Sequence, residues 1–133
     1  MNYALYEALL AQAPDALIYC DLDGRIVLWN AAAAALFGHS AEQALGHSLD
    51  IIIPQRLRAA HWAGFAHAVA SGQAKYHGQV LTTRAEHPDG RKLYVDLSFS
   101  LIRDSTGVVI GVLSAARVNK ARVDATALAT GKT

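Results

Sequence analysis

The chain has 133 residues, 53% of them hydrophobic and 17% charged, with a formal net charge of +1. That is one domain's worth of polypeptide with material for a core, which excludes both a disordered tail and a two-domain protein. The near-neutral charge excludes the basic stripe of a dedicated nucleic-acid binder. No apolar run reaches the ~18 residues of a membrane span, and the lone Cys20 forms no intrachain disulfide, which suits the cytoplasm.

Tyr3 to Ala11 reads as a short helix with Leu5, Ala8 and Leu9 on one face, ended by Pro14. Ala16 to Cys20 and Ile26 to Trp29 alternate as two strands around the turn Asp21-Leu22-Asp23-Gly24, an opening hairpin. Asn30 stands where a helix cap belongs, before Ala31 to Phe37, and Gly38 closes that helix. Ser40 caps a shorter helical turn through Ala44, stopped by Gly46. Ile51-Ile52-Ile53-Pro54 leads into the longest helical segment, Gln55 to Ala70, which ends at Ser71-Gly72.

Beyond it the period becomes two. Tyr76 to Arg84, Lys92 to Ile102 and Val108 to Val118 read as three strands, joined by His87-Pro88-Asp89-Gly90 and Arg103-Asp104-Ser105-Thr106-Gly107. Residues 119–133 are rich in Ala, Thr and Lys without apolar period and read as a frayed or partly helical tail. The expected organisation is an N-terminal amphipathic helix (1–12), one domain (13–118) and that tail. The fold class is α+β: a five-stranded antiparallel sheet with helices on one face and the long helix across it.

On a helical wheel Leu57, His61, Gly64, Phe65 and Ala68 share a stripe facing a core. An imidazole there is either a packed histidine satisfied by a carbonyl or a ligand in a space left open by small neighbours. Alternation puts Leu93, Val95, Leu97 and Phe99 on one strand face, with Val109, Gly111 and Leu113 as a second inward set. No Gly-x-Ser-x-Gly elbow, phosphate-cradling Gly loop or paired metal-binding histidines occurs, so no catalytic constellation is expected and the chain is read as a non-enzyme.

Leu28-Trp29-Asn30-Ala31 through Leu36-Phe37-Gly38-His39-Ser40, then Glu42, Leu45-Gly46, Asp89-Gly90 and the turn Asp104 to Gly107 together resemble a PAS domain over Leu10 to Val118. The resemblance implies a sensory or docking module with a ligand pocket between sheet and long helix, and a homodimer through the N-terminal helix. Ile53-Pro54, Leu57-Arg58, His61, Gly64-Phe65 and Ser71-Gly72 resemble the helix of the haem-binding PAS gas sensors. That resemblance implies b-type haem, held without a Cys-x-x-Cys-His attachment, with His61 as the proximal iron ligand. It places Leu97 and Phe99 in the pocket, to which the helical stripe adds Leu57 and Phe65 and strand alternation adds Leu113, and it puts His67 and Lys75 near the propionates. Leu81 stands where the oxygen-sensing kinases carry a distal arginine, which leaves Gln79 or Tyr76 as distal donors. It implies a diatomic gas (O2, CO or NO) or redox state as the signal, with CO or NO bound readily and oxygen affinity open, and output as part of a longer chain, through a separate effector protein, or as haem storage or transfer. The alternatives are a cofactor-free interaction module and a pocket for another small apolar molecule. The sequence Ala59-Ala60-His61-Trp62 lacks the Asn-Cys-Arg-Phe pattern of flavin-reactive light sensors.

Overall fold

The computed structural model describes residues 2–75 and 78–122. Its elements are α1 (Tyr3–Gln12), β1 (Ala16–Asp21), β2 (Ile26–Trp29), α2 (Ala31–Phe37), α3 (Ala41–Ala44), a 3₁₀ turn (Leu49–Ile52), α4 (Gln55–Ser71), β3 (Leu81–Glu86), β4 (Lys92–Arg103) and β5 (Val109–Val118). The five strands form one antiparallel sheet in the order β2-β1-β5-β4-β3. This is the expected α+β architecture, with β1 and β5, near the two ends of the chain, paired beside the middle of the sheet.

Local chemistry sets most boundaries. Ser40 and Gln43 form a reciprocal capping box at α3, and Gly38 and Gly72 end α2 and α4 in the left-handed conformation that a Cβ disfavours. Asn30 does more than cap. It is 6% exposed; its Oδ1 accepts from the amides of Ala33 (3.0 Å) and Leu17 (2.9 Å), and its Nδ2 donates to the carbonyls of Leu10 and Asp15 (3.0 Å each). One amide side chain thus joins the end of α1, the start of β1 and the start of α2, with donor and acceptor capacity both used.

The core holds Ile18, Cys20, Ile26, Trp29, Ala33, Phe37, Leu49, Val95 and Val112, covered by α2, α3 and the 3₁₀ turn. Trp29 packs against Phe37 with ring centroids 5.7 Å apart and planes at 45°, and donates its indole N–H to the His39 carbonyl at 2.9 Å. Under the rest of the sheet burial thins out. Leu97, Phe99 and Leu101 continue the inward face of β4 but are only half-buried, and no residue of α4 is fully buried.

Two sequence expectations are corrected. The strand expected from Tyr76 begins at Leu81 and runs to Glu86, because Gly78 adopts φ +74°, outside the extended range of a strand; Tyr76 itself lies outside the described residues. The inward set of β5 is Val112, Ser114, Ala116 and Val118, not Gly111 and Leu113; Val109 lies beyond a register irregularity, opposite Arg103. Opposite residues on antiparallel strands share a face, and Ser114 pairs with Phe99 and Ile18, whereas Leu113 pairs with Ser100 and Tyr19. Both parities of this strand contain apolar residues, so alternation alone does not choose, and the register irregularity between Ile102 and Arg103 sets the phase.

Candidate functional site

The site is built on α4 and what holds it. Pro54 occupies the N-cap position and offers no side-chain cap. The helix is instead tied by Arg58, whose Nε donates to the Ile53 carbonyl (2.9 Å) and whose Nη2 donates to the Asp50 carbonyl (3.1 Å). One turn on, the Trp62 indole N–H donates to Asp50 Oδ1 at 2.7 Å. The indole ring lies over Gly24 of the β1–β2 turn, where a Cβ would run into the ring. At the far end the Arg103 guanidinium donates to the carbonyls of Gly72 and Gly107.

His61 sits between these ties. Its ring meets Trp62 edge-on, with centroids 4.5 Å apart and planes at 83°, and lies 6.3 Å from Phe65 at 33°. Its Nδ1 is buried without a hydrogen-bond partner among the described residues. Burial pushes its pKa below the ordinary value, and the negative charge of Asp50 offsets part of that. The imidazole is therefore held neutral, with a ring nitrogen turned away from water, which is the protonation state in which histidine ligates a metal. The neighbours that leave space are real but open: Gly64 has nothing within 4 Å of where a Cβ would stand.

The other sequence-expected residues divide. Leu57 and Phe65 are half-buried on α4, and Phe65 packs against the core. Leu81 pairs with Leu97, and both share the inward face with Phe99, so these three form one half-buried apolar surface. Leu113 lies on the opposite face and is not brought to the site. The space expected at Gly111 belongs to Tyr19, whose phenol packs where a Cβ would project. Gln79 is exposed, ahead of β3, and His67 and Lys75 are exposed along and just beyond the end of α4.

Trp62, Asp50, Gly24 and Arg103 were not singled out by the sequence reading. A signal for the first existed, since an indole N–H half-buried next to a core helix requires an acceptor. Nothing in the spacing marked Asp50 as that acceptor. Two clefts stand out among the described residues. One of about 530 Å³ lies between the end of α4 and β4, lined by Gly72, Gln73, Ala74, Ser100, Leu101 and Arg103. The other, about 310 Å³, includes Asp15, Asp96, Leu97 and Arg117. Neither includes His61. Among the described residues no helix is long and apolar enough to cross a membrane.

A family model described as the PAS fold matches residues 4–118. The chain belongs to the PAS family. Over 77 residues this PAS domain is 30% identical to the oxygen sensor protein DosP of Escherichia coli, covering 58% of this chain and 10% of that protein. The chain thus spans about a tenth of the length of that curated relative. The crystal structure of a PAS domain from Colwellia psychrerythraea superposes with a TM-score of 0.75 at 21% identity, covering 88% of this chain and 96% of that one. A light-oxygen-voltage domain studied with a flavin analogue superposes at 0.68 with 17% identity, covering 99% and 98%. At such identities the two structures establish the shared fold. PAS domains are sensory and signalling modules that commonly pair and act on effectors, and different members hold different cofactors or none.

Proposed function

We propose that this PAS domain is a sensory module that binds b-type haem through His61 and responds to a diatomic gas, with no catalytic activity of its own. The observation that carries the reading is the neutral His61 imidazole, with Nδ1 buried and unpartnered among the described residues, set among Trp62 and Phe65 on α4. The donor type suits such a group, although neither cleft includes His61. His61 would hold the iron, and the half-buried apolar surfaces of Leu57, Phe65, Leu81, Leu97 and Phe99 would exclude water from the macrocycle. The partial likeness to an oxygen sensor protein adds support.

Bound haem supplies an iron centre that takes up a diatomic gas. The protein's part is to keep the imidazole neutral and aimed, and to present an apolar distal surface in which Leu81 has no donor to offer. That surface favours CO and NO over oxygen, whose ligation gains most from a hydrogen bond. The exposed residues of α1, with Tyr3 69% and Leu9 59% exposed, provide the homodimer contact in this reading. A separate effector protein in the cytoplasm receives the signal.

Haemin titration of the full chain tests the reading. The expected result is a Soret band that sharpens to one equivalent, and a His61→Ala protein that loses affinity by at least ~10-fold and changes spectrum. Wild-type protein whose spectrum after haemin addition is only that of free haemin overturns the haem assignment and leaves a cofactor-free interaction module. A His61→Ala protein with unchanged affinity and spectrum overturns the ligand assignment.

A further inference from the structure

Burial alone holds the rotation of α4 only loosely, because none of its residues is fully buried and only Trp62 and Phe65 pack against the core. Hydrogen-bonded ties along the helix hold it as well, and the tie nearest the site runs through Trp62. That indole is held by the Asp50 carboxylate at 2.7 Å, seated on the Gly24 turn, and packed edge-on against Phe65 with centroids 5.2 Å apart. Its immediate neighbour on the helix is His61, whose ring it also touches. Successive side chains on a helix differ by a fixed angular step, so fixing the azimuth of Trp62 fixes that of His61. At a side-chain radius of ~6 Å, a rotation of about 10° moves the imidazole by ~1 Å, enough to spoil an aimed ligand.

We infer that the Asp50–Trp62 hydrogen bond is a positioning clamp, which locks the rotation of α4 against the Gly24 turn and thereby aims His61. The consequence for ligand binding rests on the proposed role of His61; the clamp on the helix does not. Asp50 acts through Trp62 and is a positioning residue. Arg58 also reaches Asp50, but its hydrogen bonds go to main-chain carbonyls and its guanidinium lies 3.9 Å from the carboxylate, so it does not replace the indole contact. The turn at Gly24 is part of the same device: φ is +77°, and a methyl group there would displace the ring.

The test uses the full chain as wild type, Asp50→Ala, Asp50→Asn and Trp62→Phe, with two readouts: amide hydrogen exchange without haem, and haemin affinity with the Soret spectrum. Loss of a hydrogen bond to a charged group is expected to speed exchange along α4 by about 10- to 100-fold in Asp50→Ala and Trp62→Phe, with the amides of β1 and β5 unchanged. Asp50→Asn keeps an acceptor oxygen and is expected to stay within ~3-fold of wild type. Haemin affinity is expected to fall in the same order.

Unchanged α4 exchange in Asp50→Ala overturns the clamp. So does an Asp50→Asn protein as damaged as Asp50→Ala, since charge and not the hydrogen bond would then be the cause. Loosened α4 exchange with unaltered haemin affinity and spectrum overturns the aiming of His61. If His61→Ala binds haemin as wild type does, the haem-ligand reading falls, and the exchange measurement still decides the clamp.

Discussion

Replacing Asn30 with alanine deletes four hydrogen bonds at one buried position. Two of the stranded partners are the amides of Ala33 and Leu17, and two are the carbonyls of Leu10 and Asp15. Loss of the cap on α2 costs roughly 1 kcal/mol, and each further hydrogen bond contributes about 0.5–1.5 kcal/mol, giving a total near 3–4 kcal/mol. With a urea m-value of roughly 1–1.5 kcal/mol/M for a domain this size, the unfolding midpoint should fall by ~2–4 M. Asn30→Ser retains a capping oxygen and should recover about 1 kcal/mol of the loss. Asn30→Asp keeps both accepted bonds but sets a carboxylate against two carbonyls, and should be no more stable than Asn30→Ala above pH 6. Urea unfolding followed by far-ultraviolet circular dichroism measures all three. An Asn30→Ala midpoint within ~0.5 M of wild type would refute the view that this side chain ties α1, β1 and α2 together.

Three further outcomes are expected. Burial holds the folded pKa of His61 below the ordinary 6.5, so the unfolded chain binds more protons and the contribution of this group is lost as pH falls through that value. Thermal midpoints from pH 8 to 5 should therefore drop for wild type and drop less for His61→Leu; parallel curves would count against a buried neutral imidazole. Cys20 is 1% exposed and its thiol is pushed up to about 11 from an ordinary 9.0, chiefly by burial. Its alkylation at pH 8 should run at least ~100-fold slower in folded than in urea-unfolded protein, and a rate within tenfold would contradict that environment. Gly24→Ala forces a left-handed alanine against the Trp62 ring, at an expected cost of about 2–4 kcal/mol with a shift in tryptophan emission. A thermal midpoint lowered by less than ~2 °C would show that the ring is not seated there.

Most of the frame was legible because local chemistry marks it. Asn30, Gly38, Ser40 and Gly72 each act at an element end where the backbone has an unmet donor or needs a left-handed residue, and their positions in the sequence located the helices. The turns at Asp89-Gly90 and Asp104 to Gly107 fixed β4 and β5 in the same way. The phase of β5 was not legible. Leu113 and Val112 are both apolar, and the choice between them depends on a register irregularity in the β4–β5 ladder, where one step on β4 spans two residues of β5. His61 was found because an imidazole on an apolar stripe is chemically unusual. Its support was missed because Asp50 and Trp62 meet only after a 3₁₀ turn folds the chain back over the start of α4. A tie between residues on different elements leaves no periodicity to read.

The pairing of β1 with β5 has a mechanical consequence. Ala16 at the start of one strand lies opposite Ala116 near the end of the other, and just outside them the Arg117 guanidinium bridges Asp15 at 2.7 Å. The main chain therefore enters and leaves at the same end of two adjacent antiparallel strands. A stretching force applied through the chain would open that ladder one rung at a time, starting at the Arg117–Asp15 bridge, instead of shearing all its rungs together. The fold should yield to tension as a zipper does, at low force and from its termini inward.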